Sequence, residues 1–509
     1  MMMTIAEIET MFGKLDHEFS EFKAYIKGAV AHTEIHVAEK EMFRKLQHLG
    51  RTALECFVEE SGTGYQENNP PLSQDGQPLE FKGTPESPYF SIFGEVKIKR
   101  AAYANAANEY FFPLDVQLNL PAQKYSYLLQ QWIEAPTTEC DFREAVTRFN
   151  EIFDFSFIPA MPQRVAAKVA TAVDAFNEQL QAPAAETEGT FLAISADGKG
   201  VPLVKSERQP QEIDDTPKAR RSKGEKPGIK KEAVVTVDFS FNPGRREPED
   251  IVKALLKEYT SADRQQAKME RQQRRDEGIA EPRVAFNKHL RATLNGKKEA
   301  MNYLMQRVLK RDPAGEKKII ALLDGDPNLE NALEQALQTY QLKERVEALI
   351  LDIMHVSGYV WDVGTTLHGE TGEARVVWVR DKLLSILQGD VGRVLGGLKQ
   401  ILAKTKLKAS QRKVLQKAIT YFENHRHMMN YASYLAKGYP IATGLVEAAC
   451  RAFVKERMDQ SGMHWKIKGA QSILKLRAVM KNNDWGQFWK FYIASEKNRL
   501  YADSYRRAA

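Results

Sequence analysis

Phe191-Leu192-Ala193-Ile194-Ser195-Ala196-Asp197-Gly198-Lys199-Gly200 is the stretch whose reading decides the fold. An apolar run ends in one aspartate and is followed by two glycines around a lysine. The run predicts a buried strand that delivers the Asp197 carboxylate to its exposed end. The glycines let backbone or ligand approach closely. Asp-Gly is also a common turn dipeptide, so the segment alone reads first as an ordinary strand and turn. Its meaning depends on which other carboxylates the fold brings to it.

Two further apolar runs end the same way. Lys318-Ile319-Ile320-Ala321-Leu322-Leu323 leads into Asp324, and Arg345 to Leu351 leads into Asp352. A helical pattern over 328–340 separates them. Strands joined by one helix pair in parallel through a right-handed crossover. The carboxyl ends of such strands collect functional groups, so Asp197, Asp324 and Asp352 are expected on one rim. Further on, Glu447, Arg451 and Lys455 follow at i, i+4 and i+8 and share a helix face. From spacing alone that stripe reads first as a surface salt-bridge ladder, and it also suits a metal-binding acid beside a phosphate chain.

The chain around these runs has 509 residues, 43% hydrophobic and 28% charged, with a formal charge of +6. This composition fits a soluble globular protein of several domains. The mild positive balance permits nucleic-acid binding without arguing for it. Cys56, Cys140 and Cys450 are far apart, which excludes a zinc ribbon and disfavours a disulfide framework. No apolar run reaches the length of a membrane span, and the first residues lack the pattern of a signal peptide, so no membrane partner and a cytoplasmic localisation are expected.

Residues 1–88 read as a helical region and a Pro- and Gly-containing linker. Residues 89–187 read as short strands (89–112) followed by helices over 125–133, 141–153 and 162–180, with Asp141 as an N-cap. Helix, short break, helix is compatible with a helix-turn-helix and also with a plain helical hairpin. Residues 188–362 hold the aspartate-bearing strands, with a further strand over 232–239 and a polar helical excursion over 248–275. The segment before that strand is basic: Lys218, Arg220, Arg221, Lys223, Lys226, Lys230 and Lys231 face only Glu225. It is a solvated loop or a phosphate contact. Residues 363–438 are an all-helical block inserted into that aspartate-bearing domain, and residues 439–509 are its C-terminal helices, carrying Glu447.

Four blocks carry a resemblance: Ser195 to Pro202; Ala321-Leu322-Leu323-Asp324-Gly325-Asp326; Leu351-Asp352-Ile353-Met354-His355-Val356 with Tyr359 and Trp361; and Gly438 to Arg451, continuing to Trp465. They resemble the DDE transposases of the ISKra-type bacterial insertion sequences, related to the Mutator-like group. The resemblance spans about 90 to 505 and leaves the first 85 residues uncovered.

It implies an α/β RNase H-like catalytic core, a mixed sheet with flanking helices. An all-α insertion interrupts the core, and a mainly helical N-terminal DNA-binding region precedes it. By the resemblance, Asp197, Asp324 and Glu447 are the catalytic and metal-holding acids. Asp326 competes with Asp324, which ends the apolar run directly. Asp352 and His355 take a supporting role, with a hydrogen-bonded core histidine as the alternative for His355. Two Mg²⁺ ions, replaceable by Mn²⁺, are the implied cofactors. The implied activity is DNA strand cleavage and strand transfer at the ends of an insertion sequence, by a homo-oligomer on DNA. Lys199, Lys230, Lys231, Arg451 and Lys455 would meet phosphates. An RNase H-like nuclease without strand transfer and a transposase-derived DNA-binding regulator are the alternatives.

Overall fold

Phe191–Pro202 is the central strand of a five-stranded mixed sheet, in a computed structural model that describes residues 5–29, 33–73, 75–207, 230–279, 285–442, 450–460 and 462–505. Contacts divide the chain into two units, one formed by 1–178 with 483–509 and the other by 179–482.

The first unit opens with helices α1 (Ile5–Ala29) and α2 (Ile35–Glu60). Short strands follow: β1 (Glu80–Gly83), β2 (Glu86–Ser91), β3 (Gly94–Lys99), β4 (Ala102–Ala104) and β5 (Tyr110–Phe111). β2 and β3 form a hairpin, and β1, β4 and β5 form a small antiparallel sheet. Helices α3 (Pro113–Leu118), α4 (Tyr127–Thr137), α5 (Phe142–Phe153), α6 (Ala160–Val169) and α7 (Val173–Gln179) come next. Asp141 is the expected N-cap of α5, accepting from the amides of Arg143 and Glu144 at 2.8 and 3.0 Å.

The break between α5 and α6 is held by its own chemistry. The Asn150 amide donates to the Phe157 carbonyl and accepts from its N–H, and Phe155 stacks on Phe157 at 4.5 Å. The last helix, Trp485–Tyr505, belongs to this unit, whereas the sequence groups it with the C-terminal part of the aspartate-bearing domain. Tyr501 anchors it, packing with Leu79, Tyr103, Phe111 and Val116 and donating its hydroxyl to the Leu120 carbonyl.

The second unit contains strands β6 (Phe191–Pro202), β7 (Lys230–Phe241), β8 (Phe286–Thr293), β9 (Lys318–Leu323) and β10 (Val346–Leu351). Their spatial order is β10-β9-β6-β7-β8. β6, β7 and β8 pair antiparallel, while β9 and β10 add in parallel beside β6. The expected parallel pairing of the two aspartate-terminated runs is therefore present. Helices α8 (Pro248–Leu255) and α9 (Ser261–Asp276) lie between β7 and β8, α10 (Lys297–Arg311) links β8 to β9, and α11 (Pro327–Thr339) links β9 to β10.

Sequence periodicity missed β8. It is an edge strand whose Asn287 and Lys288 are exposed, and its buried positions include His289, so it lacks the apolar run that marks its neighbours. His289 belongs to a buried charge network. Asp238 of β7 takes Arg311 at 2.8 Å and Arg307 at 3.4 Å, and Arg311 also takes Glu188 at 2.5 Å. These charges tie α10 to the sheet. The two arginines hold Asp238 below the usual carboxylate range in spite of its complete burial.

Beyond β10 the chain is helical, as expected: α12 (Ile353–His368), α13 (Glu373–Leu387), α14 (Val391–Lys404), α15 (Ala409–Asn424) and α16 (Tyr431–Ala436). The first four pack on one another around Val360, Val363, Val379, Leu383, Leu398, Leu415 and Phe422. Each such buried side chain contributes about 1.5–3 kcal/mol. A π-helical turn, Cys450–Lys455, then packs against β6, and the Arg477 guanidinium donates to the carbonyls of Ala452 and Phe453 at 2.6 and 2.8 Å. Trp465 exchanges main-chain hydrogen bonds with Pro202 and Val204 at the far end of β6. Among the described residues no helix is long and apolar enough to cross a membrane.

Candidate functional site

The sheet ends unevenly, and that unevenness makes the site. β9 runs beside β6 from Phe191↔Lys318 to Ser195↔Leu322, and β9 then stops at Leu323. β6 continues, paired with β7, for seven more residues to Pro202↔Lys230. Asp197 is thus not at the end of its strand, and Asp197-Gly198 is not a turn: Asp197 pairs with Val235 and Gly198 with Val234. It stands at the end of the parallel neighbour instead. Ser195 marks the limit, donating its hydroxyl to the Leu322 carbonyl at 2.8 Å, and Asp197 lies one alternation further along the same face.

Gly198 serves close approach. A Cβ there would fall 2.1 Å from Oε1 of Glu232, which crosses over the strand at that point. The Gly198 N–H donates to Oδ1 of Asp197 at 2.6 Å.

Asp324 follows the last residue of β9. Its Oδ1 accepts from the Asp326 N–H at 2.9 Å, and its main-chain oxygen accepts from the Tyr421 hydroxyl at 2.7 Å. Burial pushes the Asp324 carboxyl above the usual range; the Asp326 N–H opposes this and the Asp197 charge adds to it. The two aspartates therefore feel each other where β9 ends beside β6.

Asp326 is committed elsewhere. Its carboxylate caps α11 through the Asn328 N–H at 2.8 Å and takes Lys297 at 2.5 Å. Against the cost of burial, Lys297 holds Asp326 below its ordinary value. Lys297 also reaches Glu232, at 3.2 Å. Sequence spacing did not reveal this triad, because Glu232, Lys297 and Asp326 meet only through the sheet.

Asp352 is fully buried at the start of α12. Its N–H donates to the Leu323 carbonyl and its Oδ1 accepts from the Met354 N–H, both at 2.8 Å. Oδ2 stands 3.4 Å from Nδ1 of His355, an ion-pair separation. The Asp352 carboxylate raises the His355 pKa against the effect of burial, and the charges of Asp324 and Asp197 act in the same direction. His355 thus lies beside Asp352, and all three aspartates favour its protonated form.

The phosphate-contact residues named from sequence divide. Lys199 is half-buried on β6, two residues past Asp197, and Lys231 is half-buried on β7. Lys230 is taken by Asp459 at 2.6 Å. Lys455 is exposed at the end of the π-helical turn. That turn differs from the α-helix assumed for the Glu447, Arg451 and Lys455 stripe, and its wider winding alters which residues share a face. Glu447 and the Arg451 side chain lie outside the described residues, as do the basic positions 218–226. The described chain on either side of 443–449 is anchored near the aspartates. The Ile441 carbonyl accepts from the Ile353 N–H at 3.0 Å, and the turn Cys450–Lys455 packs on β6.

The donor set fits a hard divalent cation. Asp197 and Asp324 offer carboxylate oxygens, neither is in an ion pair with a described residue, and their mutual repulsion is the kind a cation relieves. Among the described residues no group of three or more acids, histidines or cysteines forms a complete cage.

Compared with protein-family models and with curated proteins, the chain matches none.

Proposed function

We propose that the second unit is an RNase H-like catalytic core and that the protein is a DDE transposase, cutting DNA at the ends of an insertion sequence and joining the freed ends to target DNA. The observation that carries this reading is the placement of Asp197 and Asp324 on adjacent strands: β9 stops at Leu323, just before Asp324, beside the stretch of β6 that carries Asp197, and the Asp197 charge adds to the raised pKa of Asp324. The sheet order also supports it, since three antiparallel strands are followed by two parallel ones added beside the first.

In this reading Asp197 and Asp324 hold divalent metal, with Glu447 as the third acid by resemblance. Bound Mg²⁺ would activate the attacking oxygen and stabilise the leaving one. The residues around them keep the acids in place. Tyr421 fixes the main chain at Asp324, and Asp352 orients His355. A protonated His355 balances part of the negative charge and offers a donor to a phosphate oxygen. Helices α13–α16 form the insertion, and the first unit supplies end recognition.

The test is Mg²⁺-dependent cleavage of a supercoiled plasmid carrying the ends of the element. Asp197→Ala and Asp324→Ala are expected to reduce cleavage by about 10²-fold or more while leaving DNA binding in place. Undiminished cleavage by either variant would remove the assignment. Cleavage without joined products would favour the nuclease reading.

A further inference from the structure

Next to Asp324 lies an open groove of about 530 Å³ that the aspartate chemistry does not use. Its floor is Gly325, Tyr421 and the buried His425, and its wall is the outer face of α15. Lys413, Gln416, Lys417, Thr420 and Asn424 recur there at helical spacing and are all exposed. No acid lines it. Lys413 and Lys417 form no ion pair among the described residues, and the Lys417 ammonium sits 5.1 Å from the centroid of the Tyr359 ring, which stacks on Tyr421 at 4.0 Å.

The groove belongs to a larger charge asymmetry. From Val391 to Phe422, across α14 and α15, the sequence carries eight lysines and arginines and no aspartate or glutamate. One of them, Lys399, is paired, with Glu423 at 2.5 Å. The inward faces of these helices are apolar and packed, so the cations are all on the outside. A helical hairpin whose other seven cations form no ion pair among the described residues repels itself, and the arrangement is relieved by a polyanion.

The chemistry of the floor narrows the choice of polyanion. Nδ1 of His425 lies 2.8 Å from the Tyr421 carbonyl, so Nδ1 donates there and Nε2 is the ring nitrogen left over. Nε2 faces Gly325, where a Cβ would come within 3.1 Å of it. Ammonium groups for phosphates and an imidazole nitrogen at the base of the groove together suit a nucleotide unit.

We propose that the outer face of α15 is a binding track for a nucleic-acid backbone, with Lys413 and Lys417 holding phosphates of the strand that continues over Asp197 and Asp324. This rests on the catalytic reading for the identity of the strand. The Tyr421 hydroxyl joins the two places physically, since it borders the groove and donates to the Asp324 main chain.

The experiment compares three full-length proteins by fluorescence anisotropy on a labelled DNA oligonucleotide across a salt series: the unaltered chain, Lys413→Gln/Lys417→Gln, and the control Lys343→Gln/Lys382→Gln. The control removes the same charge from lysines already paired with Glu334 and Asp381. The groove variant is expected to lose about tenfold in affinity at moderate salt, and the slope of log K against log salt to shrink by about 2. The control should keep both. Equal behaviour of the two variants, or no DNA binding by the unaltered chain, overturns the proposal. ATP or pyrophosphate displacing DNA as well as unlabelled strand does at matched phosphate also overturns it, in favour of a small phosphate ligand. Plasmid cleavage is read separately. A groove variant defective in binding, in a protein that never cleaves, keeps the track and removes the catalytic reading. Active cleavage with an indifferent groove variant does the reverse.

Discussion

The Tyr421 hydroxyl donates to the main-chain oxygen of Asp324 at 2.7 Å, so a helix almost a hundred residues downstream in sequence sets the position of a strand-end carboxylate. The phenol is largely buried, and burial raises its pKa far above the ordinary value, so it remains a donor at any working pH. Tyr421→Phe removes that one bond and leaves the ring. A stability loss of about 1 kcal/mol is expected by urea denaturation. A larger fractional fall in plasmid cleavage than in DNA binding is also expected, because the bond acts on the position of Asp324.

Gly325 has φ +86°, and a Cβ there would meet Tyr421 at 3.0 Å and His425 at 3.1 Å. Gly325→Ala combines left-handed backbone strain with a clash against the same tyrosine. A loss of about 1–3 kcal/mol is expected, measured as a drop in the chemical denaturation midpoint. Cleavage should fall with it.

Asp324 is held with a raised pKa, first by burial and then by Asp197. Its folded pKa lies above its unfolded value, so the ionised form costs stability at neutral pH, and the cost fades as pH falls through the folded pKa. Asp324→Asn should therefore raise the thermal midpoint at pH 7, by on the order of 1–3 °C. The difference should shrink towards pH 4. Under the proposed function, Mg²⁺ should raise the midpoint of the unaltered protein and have a smaller effect on this variant, which calorimetry with and without the ion would read.

His289 stays neutral in the fold, its pKa pushed down to about 3 by burial first and then by Arg307. The unfolded chain binds a proton there near pH 6.5, so stability falls as pH drops from about 6.5 towards 3, by up to about 1.4 kcal/mol per pH unit. Depressed Asp238 adds to the loss in the same direction at the acid end, where its carboxylate is protonated. His289→Gln should flatten urea-derived stability between about pH 5 and 6.5. Asp238→Ala removes the carboxylate that Arg307 and Arg311 share inside the fold and should cost about 3–5 kcal/mol at pH 7.

Much of the sheet was legible because buried parallel strands are continuous apolar runs. Ile319 to Leu323 and Leu349 to Leu351 announce themselves, and the aspartates that end them are visible for the same reason. Edge strand β8 was hidden by its exposed Asn287 and Lys288. The length of β6 was hidden by Gly198 and Gly200, which read as a turn and in fact lie in a ladder beneath Glu232 and Lys230. The assignment of the last helix to the first unit was hidden too, because Trp485 to Tyr505 shows which side chains are apolar but not which core receives them.

The sequence by itself determined the ends of β9 and β10 and the acids that follow them, since apolar periodicity and a terminal carboxylate are local properties. Only the tertiary structure decided what each acid does. Asp324 and Asp326 are two residues apart, yet one feels Asp197 while the other is neutralised by Lys297. Asp197 itself acquires its place from where β9 stops, a fact about a neighbouring strand more than a hundred residues away. Electrostatic partnership falls off with distance in space rather than along the chain, and the sheet register sets that distance.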